Sequence, residues 1–455
     1  MITNGKESVL TQISVFGLGP VGLVTAVCFA RKGNQVIGID PDRDRLEKIR
    51  EAEAPFFEPK LKEYLTDTIA KGTFSVADDS SVNMRSDLAY IAVGTPSSED
   101  GSVDLTYVRN AAVAIGQSLR ETTQYQLVVV KSTVIPGTAR TLVKPVLERE
   151  SGKPAGKGFG LCSNPEFLRE GNAVRDAELP DRIVIGGEDV DAMTRLGNFY
   201  KEFHGETTPP VIRTTHESAE VIKYANNAFL AMKVSFINTL ANVAERTPNA
   251  DVKAIAEGIG LDERIGSKFL NAGLGWGGSC FPKDLKALIR YSKTLDYDPE
   301  MIEAVVATNE KQKQRAVQLA KLALGSLKGK RIAILGLAFK PETDDMREAV
   351  SIPLIRGFLT EGANVVAYDP AAMQNAKAIF RDRITYASDP CGCLDQADCC
   401  IIATEWDEFK TITPRIFLER MRRPVVIDGR RIYSADEFSS EGIRFSGIGL
   451  GPRVC

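Results

Sequence analysis

The sequence predicts an α/β protein in which two doubly wound parallel-sheet domains are joined by a central helical domain. Three observations predict this fold: a glycine-rich turn follows an apolar strand near residue 17, a similar strand pattern recurs after residue 331, and the stretch between them is helical without strand signals. We therefore expect domains at residues 1–213, 214–326 and 327–455. A chain of 455 residues is long enough for each domain to bury its own core.

The first domain opens with a strand, a glycine-rich turn and a helix. The apolar residues 12–16 run directly into Gly17-Leu18-Gly19-Pro20-Val21-Gly22, and residues 23–31 have helical character. In a G-x-G-x-x-G motif at this position, glycines allow a tight turn and let a pyrophosphate approach the N-terminus of the helix. The pattern predicts a Rossmann-like domain that binds a dinucleotide.

An acidic residue ends the next strand. Residues 35–39 form a second apolar strand, which ends at Asp40. A carboxylate at this position can bind a ribose diol and would repel a 2′-phosphate. We therefore expect NAD rather than NADP as the cofactor, with Arg43 and Arg45 nearby as the counter-argument.

Three further strands are predicted in this domain, and polar or turn residues follow each of them. The strands are residues 88–93, 126–130 and 160–163, and they end in Gly94-Thr95-Pro96, Lys131-Ser132-Thr133 and Asn164-Pro165-Glu166. In an open parallel sheet, ligands bind beyond the carboxyl ends of the strands. An ordinary helix cap would explain Asn164 and Pro165, but not Glu166 and Glu170, which would share one helical face. We expect Glu166 to belong to a site.

The central domain is predicted to be helical from about residue 214 to residue 326. Residues 218–246 could form one helix, in which a few polar side chains interrupt an apolar pattern. Two of them, Lys223 and Asn227, are four residues apart and project side by side. Apolar neighbours would leave Lys223 little solvent, and burial would lower its pKa so that it could act as a base or a fixed cation.

The most informative stretch is Gly273-Leu274-Gly275-Trp276-Gly277-Gly278-Ser279-Cys280-Phe281-Pro282-Lys283-Asp284. Four glycines would let a ligand lie against bare backbone. A cysteine beside a cation or at a helix start becomes a nucleophile at neutral pH, and Lys283 with the helical residues 284–291 could supply both conditions. Most cysteines are only small buried hydrophobes, but such a cysteine would not need these surroundings. We therefore predict that Cys280 is a nucleophile.

The last third repeats the opening pattern. Residues 331–338 echo the first strand and turn, and residues 362–370 echo the second strand and its acid. Ala338 stands where the second glycine would be and no third glycine follows, so we expect a degraded dinucleotide cradle that binds a different nucleotide. Phosphate or carboxylate could be bound by basic residues that follow the predicted strands, unless these only form a solvated loop: Lys340, Arg347, Arg430 and Arg431.

Composition excludes several classes of protein. Lys and Arg number 57 against 60 Asp and Glu, so no bulk positive charge favours nucleic acid or an anionic membrane. No apolar run approaches the length of a membrane span and residues 1–11 lack a signal-peptide core, so we expect a cytoplasmic protein. Eight cysteines suit a reducing compartment. Cys391, Cys393, Cys399 and Cys400 lack the paired spacing of a zinc site, and we expect no metal.

Taken together, the motifs resemble those of nucleotide-sugar dehydrogenases of the UDP-glucose/GDP-mannose dehydrogenase family, which oxidise a sugar's primary alcohol to a carboxylate. The resemblance runs nearly end to end. It rests on residues 17–22, 131–138, 164–171, 223–227, 273–284 and 336–340. Pro20, Ile135 and Trp276 depart from the usual residues of the family.

The resemblance implies a set of site residues. The catalytic residues would be Cys280 as nucleophile and, for acid–base and water handling, Lys223, Asn227, Asp284, Glu166 and Thr133. The cofactor contacts would be Gly17, Leu18, Gly19, Val21, Gly22, Asp40, Arg45, Thr95, Thr133, Glu170, Lys283 and Arg347. The substrate contacts would be Glu166, Phe167, Leu168, Lys223, Asn227, Arg264, Asn271, Gly273, Lys340 and Arg430, with Arg264 reaching in from a partner subunit. A homodimer through the central helices is also implied.

The implied activity is an NAD-dependent, two-step oxidation of a UDP-sugar through a cysteine thiohemiacetal and thioester. The run from Lys223 to Phe236 favours the UDP-glucose branch of the family. GDP-mannose or a UDP-N-acetylhexosamine remains an alternative substrate, because the thiol chemistry would be the same. A simple alcohol or hydroxyacid dehydrogenase would have no use for Cys280, and a non-catalytic nucleotide sensor would not need all the catalytic positions filled.

Overall fold

The structure, a computed structural model, describes residues 11–98 and 100–453. The chain divides into two compact units, of which the first ends at Ala225 and the second begins at Asn226. Each unit contains one sheet. The fold class is the predicted one, two parallel α/β sheets with a helical region between them in sequence.

The first unit contains a sheet of eight strands. In chain order the strands are β1 (Gln12–Phe16), β2 (Gln35–Ile39), β3 (Phe74–Ala77), β4 (Leu88–Ile91), β5 (Gln126–Val130), β6 (Phe159–Ser163), β7 (Ile183–Gly186) and β8 (Val211–Thr214). Their order in the sheet is β3-β2-β1-β4-β5-β6-β7-β8. All pairs are parallel except β6 with β7, which pair antiparallel at Ser163 and Gly186.

The helices of the first unit cover both faces of its sheet. They are α1 (Pro20–Arg31), α2 (Arg43–Arg50), α3 (Leu61–Ala70), α4 (Thr106–Glu121), α5 (Lys144–Ser151), α6 (Ala173–Glu178) and α7 (Val190–His204), with short helical turns at Ser80–Arg85, Ala139–Val143 and Gly205–Thr207. Val15 of β1 packs in one core cluster with α1 and α7, and the next residue, Phe16, packs in another with α4 and α5. Every residue of β4, β5 and β6 is buried and most are apolar, as expected for strands that are covered on both faces.

The second unit contains a parallel sheet of six strands. They are β9 (Arg331–Leu335), β10 (Asn364–Tyr368), β11 (Thr385–Tyr386), β12 (Cys399–Ile402), β13 (Val425–Asp428) and β14 (Arg444–Gly447), in the order β11-β10-β9-β12-β13-β14. The pairing of β9 with β10 and β12 repeats that of β1 with β2 and β4, as the echo in the sequence predicts.

A long helix and ten shorter ones complete the described part of the chain. The long helix, α8 (His216–Ala244), has 29 residues and runs through the point at which the chain divides. The shorter helices are α9 (Val252–Gly260), α10 (Phe281–Thr294), α11 (Glu300–Gln312), α12 (Arg315–Leu324), α13 (Ser351–Thr360), α14 (Met373–Phe380), α15 (Pro390–Leu394), α16 (Asp407–Lys410), α17 (Pro414–Arg420) and α18 (Ala435–Ser440). Every residue from 215 to 330 is described and none belongs to a strand, as predicted.

Candidate active site

The glycines of the first turn have three different environments. Gly17 has a φ of +92°, and its amide donates a hydrogen bond to the carbonyl oxygen of Ile39. A Cβ on Gly22 would lie 1.9 Å from the carbonyl oxygen of Gly17, so this glycine lets α1 pack against the turn. A Cβ on Gly19, the N-cap of α1, would meet no atom of the described residues within 4 Å. The turn therefore has an open side at a helix N-terminus, which fits the pyrophosphate of NAD.

Asp40 lies at the end of β2 with only 3% of its surface exposed. Its Oδ2 accepts hydrogen bonds from the Leu18 amide at 2.7 Å and from Nη1 of Arg45 at 2.8 Å. Arg43 pairs instead with Asp78 at the surface. The predicted ribose-binding carboxylate therefore ties β2 to the turn and holds one neighbouring cation. Leu18 is fully buried, while Val21 is partly exposed.

The predicted residues at the ends of β4 and β5 lie together. Thr95 Oγ1 donates a hydrogen bond to the carbonyl oxygen of Thr133 at 2.8 Å. Ser132 Oγ donates to the carbonyl oxygen of Val93 at 2.7 Å. These bonds join the two loops at the carboxyl edge of the sheet, where the sequence predicts a binding site.

The strongest electrostatic feature of the first unit is a buried ion pair. Lys223 Nζ lies 2.8 Å from Glu166 Oε1, and the two side chains are 5% and 7% exposed. Burial by itself raises the pKa of Glu166, but the positive charge of Lys223 and the Leu168 amide, which donates to Oε2, lower it below its usual value overall. Glu166 is therefore a carboxylate at neutral pH. The expectation that Lys223 is buried is confirmed.

A second buried lysine lies near this pair. Lys131 Nζ donates to Asn164 Oδ1 at 3.2 Å, and the hydroxyl of Tyr200 donates to the same oxygen at 2.5 Å. Burial lowers the pKa of Lys131 to about 8, with Glu166 opposing the shift and Lys223 adding to it. The sequence analysis did not single out Lys131, because a lysine after a strand has no distinguishing signal.

A small cavity brings several of these residues together. It is lined by Val130, Ser132, Thr133, Val134, Ser163, Pro165, Glu220 and Lys223. Two of the predicted catalytic residues, Thr133 and Lys223, therefore face one space. Glu220 faces it too, although the sequence analysis gave this residue no role.

One prediction about this region is wrong. Glu166 and Glu170 do not share a helical face, because residues 164–172 are irregular and α6 begins only at Ala173. Asn164 is not a helix cap either: its Nδ2 donates to the carbonyl oxygen of Val184. Glu170 is partly exposed. Phe167, a predicted substrate contact, packs against Arg182: the guanidinium carbon Cζ lies 3.7 Å from the centroid of the Phe167 ring.

In the second unit, Cys280 is the N-cap of α10, which runs from Phe281 to Thr294. The helix covers the predicted residues 284–291. Cys280 is partly exposed, and its Sγ lies 3.6 Å from Ser279 Oγ. Cys280 therefore lies at a helix start, as predicted, and a helix N-terminus stabilises a negative charge.

Three predicted residues form a hydrogen-bonded group: Lys283 and Asp284 in the first turn of α10, and Asn227 on α8. Asn227 Nδ2 donates to Asp284 Oδ2 at 2.6 Å, and Lys283 Nζ donates to Asp284 Oδ1 at 2.7 Å. Asp284 and Asn227 are 2% and 5% exposed. Lys283 is therefore engaged by Asp284, its neighbour in sequence. The buried carboxylate has a donor on each oxygen, which holds the Asn227 amide in one orientation.

The other described cysteines differ from Cys280. Burial raises the pKa of Cys162 and Cys393 to about 12, and it raises the pKa of Cys28, Cys399 and Cys400 further. Cys391 is partly exposed, on α15. No cluster of three or more possible metal ligands occurs within residues 11–98 and 100–453.

The glycines before Cys280 are needed for a reason that differs from the predicted one. A Cβ on Gly277 would lie 2.2 Å from the carbonyl oxygen of Glu348, and one on Gly278 would lie 2.8 Å from the ring of Phe339. A Cβ on Gly273 would lie 2.9 Å from the carbonyl oxygen of Gly429. The sequence analysis expected room for a ligand. At these positions the missing side chains make room for other parts of the same unit.

Buried amide side chains hold this glycine-rich segment in place. Asn309 Oδ1 accepts a hydrogen bond from the Trp276 amide at 2.8 Å, and its Nδ2 donates one to the Trp276 carbonyl oxygen at 2.9 Å. Asn238 accepts from the Gly273 amide at 2.8 Å, and Gln312 donates to the Gly273 carbonyl oxygen at 2.7 Å. This support could not be predicted from sequence, because Asn238 on α8 and Asn309 and Gln312 on α11 lie more than 30 residues from the residues that they bind.

The second Rossmann-like turn is closed by its own chain. Gly336 has a φ of +100°, but the next helix, α13, begins only at Ser351. Asp369, at the end of β10, accepts hydrogen bonds through Oδ2 from the amides of Leu337 and Ala338 and from the Trp406 ring. No helix N-terminus follows this turn, so the structure agrees with the prediction of a degraded dinucleotide cradle.

The remaining predicted residues of the second unit are dispersed over its surface and sheet edge. Arg430 follows β13 and donates through Nε to the carbonyl oxygen of Ala403 at 2.7 Å. Arg431 is buried and binds Asp251, so it serves the fold rather than a phosphate. Arg264 and Arg347 are exposed and pair with their neighbours Asp262 and Asp345. Asn271 is exposed and Lys340 is partly exposed.

A dinucleotide-binding turn on a doubly wound sheet, together with a buried lysine–carboxylate pair, defines the class of the protein as an NAD-dependent dehydrogenase. Comparison with known proteins gives the family. Residues 11–204, 217–311 and 333–435 match, in turn, the NAD binding domain, the central domain and the UDP binding domain of the UDP-glucose/GDP-mannose dehydrogenase family. The chain belongs to this family.

Individual relatives are similar over nearly the whole chain. The UDP-glucose 6-dehydrogenase TuaD of Bacillus subtilis is 42% identical over 441 residues, which cover 97% of this chain and 93% of the relative. The solved structure of a UDP-glucose dehydrogenase from Pyrobaculum islandicum is 40% identical and has a TM-score of 0.89, covering 99% of this chain and 100% of the other. A UDP-D-ManNAc dehydrogenase from Pyrococcus horikoshii is 27% identical with a TM-score of 0.85, covering 96% and 99%.

These comparisons confirm the predictions of the fold class, of the family, of a dehydrogenase and of NAD as its cofactor. In the part of the chain that the structure covers, no helix is both long and apolar enough to span a membrane.

Proposed function

We propose that the chain is an NAD-dependent UDP-glucose 6-dehydrogenase, which oxidises UDP-glucose to UDP-glucuronate. The observation that carries the proposal is Cys280, a partly exposed thiol at the start of α10, one helical turn before the hydrogen-bonded Asp284. A dehydrogenase that removes one hydride from an alcohol has no use for such a thiol. An enzyme that oxidises the alcohol to the acid has to retain an aldehyde between two oxidations, and a thiolate does this covalently.

The coenzyme would be held by the first turn and by Asp40. When bound, NAD supplies a hydride acceptor, and two molecules are needed for each sugar. In the first oxidation, Lys223 or a water molecule held by Asp284 accepts the proton of the sugar hydroxyl while the carbon becomes an aldehyde. Lys223 and Asn227 are four residues apart on α8, the spacing that brings side chains to one face of a helix.

The second oxidation begins when the Cys280 thiolate attacks the aldehyde carbon. A C–S bond forms, the carbonyl oxygen takes up a proton, and the product is a thiohemiacetal. Loss of that proton and of a second hydride leaves a thioester. The ammonium group of Lys223 and the amide of Asn227 stabilise the negative oxygen of the tetrahedral species.

Hydrolysis completes the reaction. Glu166, a carboxylate because its pKa is lowered, accepts a proton from water, and Thr133 helps to position that water molecule. The water oxygen adds to the thioester carbon, the C–S bond breaks, and Cys280 leaves as a thiolate. The carboxylate product is then released.

The substrate assignment rests on similarity of sequence. Two relatives that carry UDP-glucose in their names are 42% and 40% identical to the chain, against 27% for the UDP-D-ManNAc dehydrogenase. We assign Lys340 and Arg430 to the phosphates of the nucleotide sugar, and Phe167, Leu168, Asn271 and Gly273 to contacts with other parts of the substrate. The alternative is a GDP-mannose or UDP-N-acetylhexosamine 6-dehydrogenase with the same thiol chemistry.

We also propose that the chain forms a homodimer through its central helices. Phe229, Phe236 and Val243 are seven residues apart on α8, and each is more than half exposed. Residues at this spacing form a stripe along a helix, and such an apolar stripe indicates an interface. Arg264, 88% exposed, could then serve the partner's site. Phe236→Glu should convert the dimer to a monomer in sedimentation velocity, and a wild-type monomer would refute the proposal.

The cellular location and the domain limits remain proposals as well. We propose a cytoplasmic enzyme, because the chemistry depends on a reduced thiol. The three matched family segments lie inside the proposed domains 1–213, 214–326 and 327–455, which supports those limits.

The decisive assay measures NADH formation across a panel of UDP- and GDP-sugars. We expect UDP-glucose to be the best substrate and to give two NADH per sugar, whereas a ratio of one would refute the thioester route. UDP-glucose should protect Cys280 from alkylation by iodoacetamide and should not affect the labelling of Cys391, the other partly exposed thiol among the described residues. Cys280→Ser should abolish the formation of acid, and Cys391→Ser should not change it.

A further inference from the structure

Glu220 is a buried carboxyl group for which the proposed reaction has no use. It lies on α8, one turn before Lys223, and only 4% of its surface is exposed. It lines the cavity that Thr133 and Lys223 also line. A buried carboxyl group costs free energy unless its partners satisfy it, so its contacts indicate its purpose.

The carboxyl group of Glu220 binds the backbone that follows Thr133. Its Oε2 accepts a hydrogen bond from the Gly137 amide at 2.5 Å, and its Oε1 accepts one from the Ala139 amide at 3.0 Å. Ala139 begins a helical run that continues through α5 to Ser151. Glu220 therefore supplies acceptors to amides at the start of this run, where intrahelical partners are lacking.

The segment held in this way is the one that carries Thr133. Residues 131–138 connect β5 to the helical run. Ser132 and Thr133 fix the beginning of the segment through bonds to the loop after β4, and Glu220 fixes its end. Gly137 has a φ of +91°, which a glycine adopts without strain. Without Glu220, the amides of Gly137 and Ala139 would lose the acceptors that the structure gives them.

Charged and polar neighbours set the ionisation of Glu220. Burial raises its pKa to about 7, the amides of Ala139 and Gly137 oppose the shift, and Glu217 adds to it. Ser163 Oγ is 3.5 Å from Oε1 and 2.9 Å from Nδ1 of His216, whose pKa is lowered by burial. The other charged groups that face this carboxyl are Arg140 of the helical run and Lys223 across the cavity.

We propose that Glu220 is a positioning residue: through its two backbone hydrogen bonds it holds residues 133–139, and with them Thr133, in the arrangement needed for thioester hydrolysis. The inference rests on the proposed function, in which Thr133 positions water. Two amide donors match the carboxylate and not the carboxylic acid, so the anchor is complete only when Glu220 is ionised. Enzyme activity should therefore rise as the pH increases through about 7.

The test compares wild type, Glu220→Gln and Glu220→Asp in the full chain. The glutamine would turn an NH2 group toward one of the two amide donors, whereas aspartate keeps a titrating carboxylate on a shorter side chain. Glu217→Gln is the control, because Glu217 lies on the same helix, partly exposed, and binds Arg140. Amide hydrogen exchange at Gly137 and Ala139 is measured from pH 6 to pH 8 and corrected for the intrinsic rate.

In wild type, we expect the protection of these two amides to increase about tenfold as the pH rises and Glu220 loses its proton. One charge-assisted hydrogen bond contributes about that factor. In Glu220→Gln the protection should be low and independent of pH. Wild-type protection in Glu220→Gln would overturn the inference. If that variant does not fold, Glu220→Asp decides instead: its shorter side chain should lower the protection of both amides at pH 8 while a pH dependence remains, and full wild-type protection in it would overturn the inference.

Kinetics supply the second measurement. For UDP-glucose oxidation, Glu220→Gln should lower kcat about tenfold at pH 8, leave the KM for UDP-glucose unchanged, and remove the acidic limb near pH 7. Glu220→Asp should keep that limb. Glu217→Gln should keep the wild-type kcat at pH 8 and the limb itself, with the limb shifted to slightly lower pH because a neighbouring negative charge is removed. If no nucleotide sugar is oxidised, the proposed function fails and the exchange measurement alone decides the role of Glu220.

Discussion

Removal of one member of the buried Lys223–Glu166 pair should destabilise the first unit strongly. The two groups are 2.8 Å apart and the side chains are 5% and 7% exposed. Lys223→Met leaves a buried carboxylate without its cation, which costs about 3–5 kcal/mol in such pairs. The matched control is the pair Lys144–Glu188, which is 2.7 Å apart but has side chains 31% and 48% exposed. Lys144→Met should cost no more than about 1 kcal/mol.

Hydrogen exchange in β5 and β6 is the suitable assay, because both tryptophans belong to the second unit and their fluorescence would not report the first. A double-mutant cycle of Lys223→Met with Glu166→Gln should give a coupling of about 2 kcal/mol, and the control pair should give almost none. The reasoning would be refuted if Lys223→Met cost no more than Lys144→Met.

The same pair gives a pH dependence with a definite sign. The pKa of Glu166 is lowered in the folded protein, so the ionised carboxylate contributes stability above its ordinary value of 4.5. This contribution is lost as the pH falls through the folded-state pKa. Glu166→Gln should therefore be much less stable than wild type at pH 7, and the difference should shrink in acid below pH 4.5.

Three further predictions concern single positions. Gly277→Ala should destabilise the second unit by about 1–3 kcal/mol in urea unfolding followed by tryptophan fluorescence, because the new methyl group would lie 2.2 Å from a backbone oxygen; an unchanged midpoint would contradict this. In Gly19→Ala the new methyl group would meet no atom of the described residues within 4 Å, so the free energy of unfolding should stay within about 0.5 kcal/mol of wild type. The affinity for NAD, measured by calorimetry, should weaken at least about tenfold. An unchanged affinity would remove this residue from the coenzyme site. Lys131→Met should remove a titration near pH 8 from the kcat profile, because burial lowers the pKa of this lysine to about 8, and a retained titration would assign it to another group.

The long elements of the fold could be predicted from sequence, because apolar runs and glycine turns are local signals. The strands at residues 12–16, 35–39 and 126–130 are confirmed at both ends. Three strands of the first sheet were missed: β3, β7 and β8. Each has only four residues. β3 and β8 also lack the continuous burial of β4, which is equally short but was predicted. The antiparallel pairing of β6 with β7, at Ser163 and Gly186, was not predicted either.

The candidate site also contains residues that could be predicted from sequence and residues that could not. Cys280 could be recognised because the residues that mark it are its neighbours in sequence. Lys131 and Glu220 could not, since the groups that determine their roles come from other elements: Lys131 is held by Asn164, 33 residues away, and Glu220 by Gly137, 83 residues away. The helical face expected for Glu166 and Glu170 was wrong because spacing predicts a shared face only where a helix exists.

The second Rossmann-like turn, which is closed by its own chain, limits the number of NAD molecules that the protein can bind. Oδ2 of Asp369 is bound by three donors, while Oδ1 is bound by the amides of Ala371 and Ala372. A ribose would have to displace bonds that hold β9 and β10 together, so a duplicated fold does not become a duplicated coenzyme site. Saturation should occur at one NAD per chain, and restoring glycines to this loop would not be enough to raise that stoichiometry.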